Sequence, residues 1–167
     1  MELKDVGRYL IEGIYKKDFA TVCDENPDLI NTPERFAKAI TEWFTPTPFE
    51  FTTFDGEGYG LVAVSDIDFH SFCEHHLAAI IGKVSIKYIP NKKIAGLSKF
   101  PRTVRFFSKK PMIQERFNKE VFDFLWDKLE PKYLRVDVDA LHTCMTTRGA
   151  NSVNSSTKTY IEKGEQQ

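Results

Sequence analysis

The amino-acid sequence predicts an α+β domain, with an antiparallel sheet of ββααββ order, two helices on one face of the sheet and two further helices at the N-terminus. Three features indicate this class. Apolar residues recur at helical spacing near the amino end and in the middle of the chain, segments of alternating polarity flank the central helices, and proline or glycine separates most segments. Two hairpins that share one helical layer bury one side of their sheet, which gives a two-layer structure.

The length of 167 residues suits a single domain with its own core. We expect an N-terminal helical part over residues 1–48, a core over 49–162 and a short tail over 163–167. No apolar run approaches the length of a membrane span, and the first residues lack the basic and apolar regions of a signal peptide. The composition therefore predicts a cytoplasmic protein with no membrane partner.

Two amphipathic helices are predicted in the N-terminal part. Residues 3–16 place their apolar side chains on one helical face, and a loop is expected after them. The second helix is predicted to begin near Thr32, because this hydroxyl can cap free amides and Pro33 loses nothing by lacking an N–H at the first helical position. This helix is expected to end before the two prolines at 46 and 48.

The first hairpin is predicted after a glycine-rich turn region at residues 56–60. Alternating polarity predicts strands over 61–72 and 80–89. Because the two strands are sequential and joined by a short connection, we expect them to pair with each other.

Two helices and a second hairpin are predicted to follow. Ser98 is expected to cap the first of these helices, and a longer amphipathic helix is predicted from about Ile113 to Leu129. The last two strands are predicted over 133–145 and, more weakly, over 155–162.

Two fragments carry the residues best suited to bind a metal, namely the Cys-Glu-His-His run at 73–76 and the His-Thr-Cys run at 142–144. A thiolate and an imidazole three residues apart can bind one ion, so Cys73 and His76 form a candidate pair, and Cys144 can supply a second sulfur. Structural zinc sites usually have four protein ligands, whereas catalytic zinc has three and a water. The set therefore predicts a catalytic metal.

Two further histidines lie beside these presumed ligands. His75 and His142 are not needed to bind the metal, and imidazole is the side chain best suited to move protons near neutral pH. Side chains two apart in a strand share a face, so the predicted strand over 133–145 would present His142 and Cys144 side by side. A metal that activates water next to proton carriers indicates hydrolysis. In the alternative interpretation, the histidine and the cysteine are independent core residues.

The charge of the chain is segregated, although its net value is only −1. Between Lys83 and Arg116 the sequence carries a cluster of lysines and arginines, and the only acid is Glu115. Such clustering favours an anionic partner. Because no nucleic-acid-binding motif accompanies it, we expect the phosphates of a nucleotide rather than DNA or RNA. The third cysteine, Cys23, has no assigned role, which fits a reducing compartment without disulfides.

Taken together, five segments resemble the successive motifs of GTP cyclohydrolase I. They occur in the family's order and with similar spacing, over roughly residues 31–160. The segments are 69–77, 88–91, 96–102, 114–116 and 140–149.

The resemblance implies an activity and an assembly. The reaction is the hydrolytic opening of the guanine imidazole ring of GTP, which releases formate and gives 7,8-dihydroneopterin triphosphate. Folate, pterin-cofactor and deazaguanine routes can all begin with that product. The implied fold is the T-fold, whose sheets join between subunits into a barrel, and the implied assembly is a homo-oligomer, a decamer of two pentamers with active sites between subunits.

The resemblance also implies roles for the residues of the site. Cys73, His76 and Cys144 match the zinc ligands, one Zn²⁺ per chain, and His75 and His142 match the acid–base residues. The substrate-binding positions are Glu115 and Gln114 for guanine, Ser98 near the ribose, and Lys99, Arg102, Arg148 and Arg35 for the triphosphate, Arg35 acting on a neighbouring subunit.

Glu115 fits this role chemically, since a carboxylate accepts hydrogen bonds and guanine presents adjacent donors at N1 and N2. The alternative for Glu115 is an ion pair with Arg116 or a nearby lysine.

Two other functions are weighed against this one. The first is a related T-fold reductase that acts on 7-cyano-7-deazaguanine, for which Cys73 would be a nucleophile and zinc would not be needed. The second is a catalytically silent, zinc-stabilised subunit that only binds nucleotide. The chain also departs from the family pattern over residues 160–164, so the last strand is the weakest part of the predicted fold.

Overall fold

The computed structural model describes residues 1–165, so Gln166 and Gln167 of the predicted tail lie outside the described residues. The chain forms two compact units, one over Met1–Thr45 and one that begins at Pro46. The first unit is helical, and the second contains both sheets. The prediction of a single domain stays a prediction.

The first unit contains three α-helices, α1 (Leu3–Tyr15), α2 (Phe19–Glu25) and α3 (Thr32–Phe44), with a short 3₁₀ turn between the last two. Helices α1 and α3 pack closely at Gly7, where an added Cβ would lie 3.0 Å from the Phe36 ring. Both predicted helices are therefore present, and their close approach depends on a residue without a side chain.

Two details of the N-terminal prediction were wrong. The loop expected after residue 16 contains α2, whose first turn is capped because the backbone N–H of Thr21 donates to Asp18 Oδ1 at 3.0 Å. Thr32 does not cap α3, since it is the first helical residue and Asn31 precedes it without a side-chain capping bond. Pro33 lies in the first turn, as predicted.

Up to residue 165, where the described chain ends, the second unit contains seven strands in two sheets. They are β1 (Thr53–Asp55), β2 (Val62–Cys73), β3 (Ala79–Ile89), β4 (Lys93–Ala95), β5 (Pro111–Met112), β6 (Tyr133–His142) and β7 (Thr157–Gly164). The larger sheet has the order β5-β2-β3-β6-β7, and β1 pairs with β4 in a small separate sheet.

Both predicted hairpins form. Strand β2 pairs antiparallel with β3, β6 pairs antiparallel with β7, and β3 joins the two hairpins by pairing antiparallel with β6. The sheet is not wholly antiparallel, because the two-residue strand β5 runs parallel to the end of β2, with Phe72 opposite Pro111 and Cys73 opposite Met112. Strands of two or three residues are too short for alternation to reveal, so β1, β4 and β5 were missed.

Two long helices, α4 (Lys99–Ser108) and α5 (Gln114–Leu129), cover one face of the larger sheet. Their apolar side chains form the core with those of the strands, and the rings of Phe69 and Phe117 stack at 4.9 Å between centroids. The predicted α+β class is confirmed. Ser98 precedes α4 as expected, although its side chain makes no capping hydrogen bond.

The last predicted strand also forms, and it spans eight residues beside β6. In the part of the chain that the structure describes, no helix is both long enough and apolar enough to cross a membrane.

Candidate active site

The three predicted metal ligands come together at one end of the larger sheet. Cys73 is the last residue of β2, His76 lies in the turn that follows, and Cys144 lies on a short helix, α6 (Thr143–Thr146), after β6. Their ligand atoms all lie within 4.8 Å of one another, and Cys73 Sγ is 3.7 Å from His76 Nδ1. Ligands of one tetrahedral zinc are about 3.5 Å apart at ordinary bond lengths. This group can therefore hold a metal ion with little movement.

The turn between β2 and β3 places two histidines beside the sulfur of Cys73. The backbone N–H groups of Cys73 and Leu77 donate to Ala78 O and Cys73 O, each at 2.8 Å, and Leu77 adopts a left-handed φ of 49°. Arg116 on α5 donates to Glu74 Oε2 at 2.9 Å. These contacts hold the turn against α5, and His75 Nδ1 also lies 3.7 Å from Cys73 Sγ.

Cys144 reaches the group by a route that the sequence analysis did not foresee. The predicted strand over 133–145 ends at His142, and the next residues form α6, in which the backbone N–H of Thr147 donates to Thr143 O at 3.0 Å. The expectation that His142 and Cys144 share a strand face was therefore wrong. Thr143 fixes the change of direction, since its hydroxyl donates to Ala79 O at 2.8 Å.

Burial and charge act on the thiol of Cys144. Burial raises its pKa, and the nearby Cys73 sulfur raises it further, while the positive charge of Arg148 acts in the opposite direction. A bound divalent metal would favour the thiolate of Cys144, so the electrostatics of this residue also fit a metal site.

A cavity of about 220 Å³ opens beside the three ligand residues. It is also lined by His75, His142, Gln114 and Glu115, which are four of the other residues that the sequence predicted for this site. His142 is half-buried, and this burial lowers its pKa, while the Glu115 carboxylate opposes the shift. A neutral imidazole beside a metal site is suited to accept a proton.

Gln114 is the most constrained side chain of the cavity, at 1 % exposure. Its Nε2 donates to Thr157 O at 2.9 Å, to Val138 O at 3.2 Å and to Thr159 Oγ1 at 3.2 Å. Its Oε1 lies 2.7 Å from His142 Nε2. Both ends of the amide thus contact protein groups, which no sequence pattern indicated.

Glu115 lies next to Gln114 but is exposed. Its neighbour Arg116 pairs with Glu74, and within the described residues Glu115 forms no ion pair with Arg116 or with a nearby lysine. The carboxylate is left at the cavity, where it can accept hydrogen bonds from a ligand.

The remaining predicted substrate residues lie elsewhere. Ser98, Lys99 and Arg102 are at the start of α4 and do not line the cavity of the metal group. Lys99 Nζ donates to Glu50 O at 2.7 Å, and Arg102 lines a different cavity of about 340 Å³.

The other two predicted phosphate ligands are on separate parts of the chain. Arg148 follows α6, close enough for its charge to act on the Cys144 thiol. Arg35 lies on α3, in the first unit.

Comparison with known sequences matches one protein family over most of the chain. The profile of the family described as GTP cyclohydrolase I matches residues 18–167. GTP cyclohydrolase 1 of Aquifex aeolicus is 43% identical over 168 residues, which cover 98% of this chain and 86% of that protein. GTP cyclohydrolase 1 of Hydrogenobaculum sp. is 44% identical over 135 residues, which cover 80% of this chain and 74% of that protein.

Comparison with solved structures supports the fold. The apo form of the archaeosine synthase QueF-Like matches with a TM-score of 0.55 and 16% sequence identity, over 65% of this chain and 98% of that one. This likeness, to a T-fold protein, confirms the T-fold predicted for the chain.

Proposed function

Since the chain belongs to the GTP cyclohydrolase I family, we propose that it hydrolyses the guanine imidazole ring of GTP, releases formate and forms 7,8-dihydroneopterin triphosphate. The observation that carries the proposal is the cavity in which a Cys-His-Cys group lies beside two further histidines and an exposed carboxylate. Metal, proton carriers and a recognition group for guanine are the three parts that this hydrolysis requires.

We propose zinc as the metal, with Cys73, His76 and Cys144 as its ligands. Two thiolates and one imidazole are a donor set typical of zinc, and three protein ligands leave a position for water. Bound there, zinc would make a water more acidic and therefore a better nucleophile towards C8 of guanine.

His142 and His75 are the proposed acid–base residues. His142 Nε2 contacts Gln114, so Nδ1 is the nitrogen left to exchange protons with the substrate. His75 is exposed and lies beside Cys73, where it can donate a proton to the opening ring or orient a ligand.

Glu115 is proposed to bind guanine by accepting hydrogen bonds from N1 and N2. Lys99, Arg102, Arg148 and Arg35 are proposed to bind the triphosphate, with Ser98 near the ribose. Lys99 and Arg102 do not line the metal cavity of their own chain, which supports a site completed by a second copy.

We therefore propose a homo-oligomer, a decamer of two pentamers in the cytoplasm, whose sheets join into a barrel. Within the described residues, β7 is an edge of the sheet, and the outer side of β2 is covered by β5 at only two residues. Open sheet edges of this length are usually paired or protected.

The other functions receive less support. The reductase would need Cys73 as a free nucleophile, whereas its sulfur lies within 4.8 Å of the His76 and Cys144 atoms with which it could bind a metal. A silent subunit would need neither the spare histidines nor Glu115.

The test is to incubate metal-assayed protein with GTP and to follow formate and the pterin absorbance. We expect turnover with about one zinc per chain. His142→Ala should keep zinc and lose turnover, and Cys144→Ala should lose both. The matched controls are His70→Ala and Cys23→Ala, which alter a histidine and a cysteine outside the cavity. No formate from zinc-loaded wild type would contradict the proposal.

A further inference from the structure

The amide of Gln114 has only one possible orientation. Two of its contacts, Val138 O and Thr157 O, are backbone carbonyls, which accept hydrogen bonds and cannot donate them. The group that faces them must therefore be the NH₂ of the amide. The carbonyl oxygen of the same amide then faces His142. The Gln114 side chain is almost fully buried, with 1% exposure.

This orientation dictates where His142 carries its proton. Oε1 of Gln114 lies 2.7 Å from His142 Nε2, and an amide oxygen can only accept. His142 Nε2 must therefore be the donor. In the neutral imidazole, one nitrogen bears hydrogen and the other bears a lone pair, so Nδ1 is the basic nitrogen.

We propose that Gln114 is a positioning residue, which holds His142 as the Nε2–H tautomer and fixes the plane of its ring, instead of binding guanine. The inference rests on the proposed function, in which His142 transfers protons. In this role Gln114 resembles the aspartate that orients the histidine of a Ser-His-Asp triad, except that the accepting oxygen of Gln114 carries no charge.

The strands and α5 together build this contact. Gln114 begins α5, the carbonyls that hold it are on β6 and β7, and His142 is the last residue of β6. Thr159 Oγ1 accepts from Gln114 and also, at 3.2 Å, from Nδ2 of Asn118, one helical turn further along α5. Asn118 has the same 1% exposure as Gln114 and is not among the residues that line the metal cavity. It is therefore a matched control.

The kinetic test compares Gln114→Met with Asn118→Leu, each of which replaces a buried amide by an apolar side chain of similar size. Both should lower the melting temperature. Gln114→Met should also lower kcat about 10- to 100-fold, as the loss of a group that orients a functional histidine typically does, with KM for GTP changed less than about threefold. Asn118→Leu should leave kcat near the wild-type value, because Asn118 does not line the cavity of the site. A rise in KM with unchanged kcat in Gln114→Met would overturn the proposal and identify a substrate ligand.

A second readout does not require turnover. Solid-state NMR of zinc-loaded protein with ¹⁵N in histidine distinguishes protonated from unprotonated ring nitrogens, and the His142→Asn spectrum identifies the signals of His142 among the four histidines. Wild type and Asn118→Leu should show the Nε2–H tautomer, whereas Gln114→Met should show a mixture. An Nδ1–H tautomer in wild type would overturn the inference. If zinc-loaded wild type released no formate, the proposed function would fail while this spectrum still decided the role of Gln114 towards His142.

Discussion

Glu115 is the residue proposed to recognise the base. Its carboxylate lies at the cavity, and its sequence neighbour Arg116 pairs with Glu74 instead. A carboxylate accepts at both oxygens, which suits two adjacent donors on one edge of a purine. The ion pair of Arg116 with Glu74 joins α5 to the turn between β2 and β3. It also leaves Glu115, the only acid of the basic stretch, available for a ligand.

We expect Glu115→Gln to lower kcat/KM for GTP about 100-fold or more, because its NH₂ would face a donor of guanine and one hydrogen bond to the base could not form. Steady-state kinetics on zinc-loaded protein would measure the loss, and zinc content should not change. Glu57→Gln, in an exposed turn, is the control and should behave as wild type. Unchanged kcat/KM in Glu115→Gln would show that the carboxylate does not contact the base.

At the scale of elements, the pairing of β3 with β6 brings the two halves of the site together. Strand β3 follows the turn that contains His76, and β6 ends at His142, two residues before Cys144. The register of β3 and β6 therefore sets the distance between Cys73 and Cys144. The register places Ile80 opposite His142 and Gly82 opposite Ala140. The close approach at Gly82 leaves no room for a side chain, since an added Cβ would lie 2.4 Å from Asp139 O.

We expect Gly82→Ala to lower the free energy of unfolding by about 1–3 kcal/mol, because the new methyl group must push β6 away. Zinc affinity should fall in parallel, since β6 leads directly to Cys144. Gly60→Ala, where an added Cβ meets nothing within 4 Å, should change stability by less than about 0.5 kcal/mol. Denaturant unfolding and a zinc competition titration would measure both effects. An equally stable Gly82→Ala protein would show that the two strands can separate at no cost.

For the whole molecule, patterns local in sequence predicted most of the fold. Hairpins and long helices follow from periodicity and from proline or glycine at their ends. The group that could bind a metal was predicted because cysteine and histidine are rare in the chain and because Cys73 and His76 are only three residues apart. Helix α6 was missed, because strand alternation continues through Cys144 and the turn depends on a bond from Thr143 to Ala79, which is distant in sequence. The contact of Gln114 with His142 joins residues 28 apart, so only the packed structure could reveal it.

The arrangement of the phosphate-binding candidates leads to a prediction about assembly. Arg102 is proposed to bind triphosphate, yet it lines a cavity other than that of the metal group in its own chain. If the site forms between subunits, one chain supplies His142 and its neighbour supplies Arg102. Arg102→Ala and His142→Ala oligomers should then each be nearly inactive on GTP.

Oligomers of the two variants mixed by co-expression should recover about a quarter of wild-type activity, since about one interface in four then unites two intact halves. A mixture of His142→Ala with Cys144→Ala is the control. Both changes fall in the same half of the site, so every interface that contains an intact histidine lacks the metal ligand, and no activity should return. Light scattering would verify that the mixed chains assemble, and formate release would measure recovery. Assembled but inactive Arg102→Ala/His142→Ala mixtures would place Arg102 and His142 in the same site half, and the proposed division of the site between subunits would have to be abandoned.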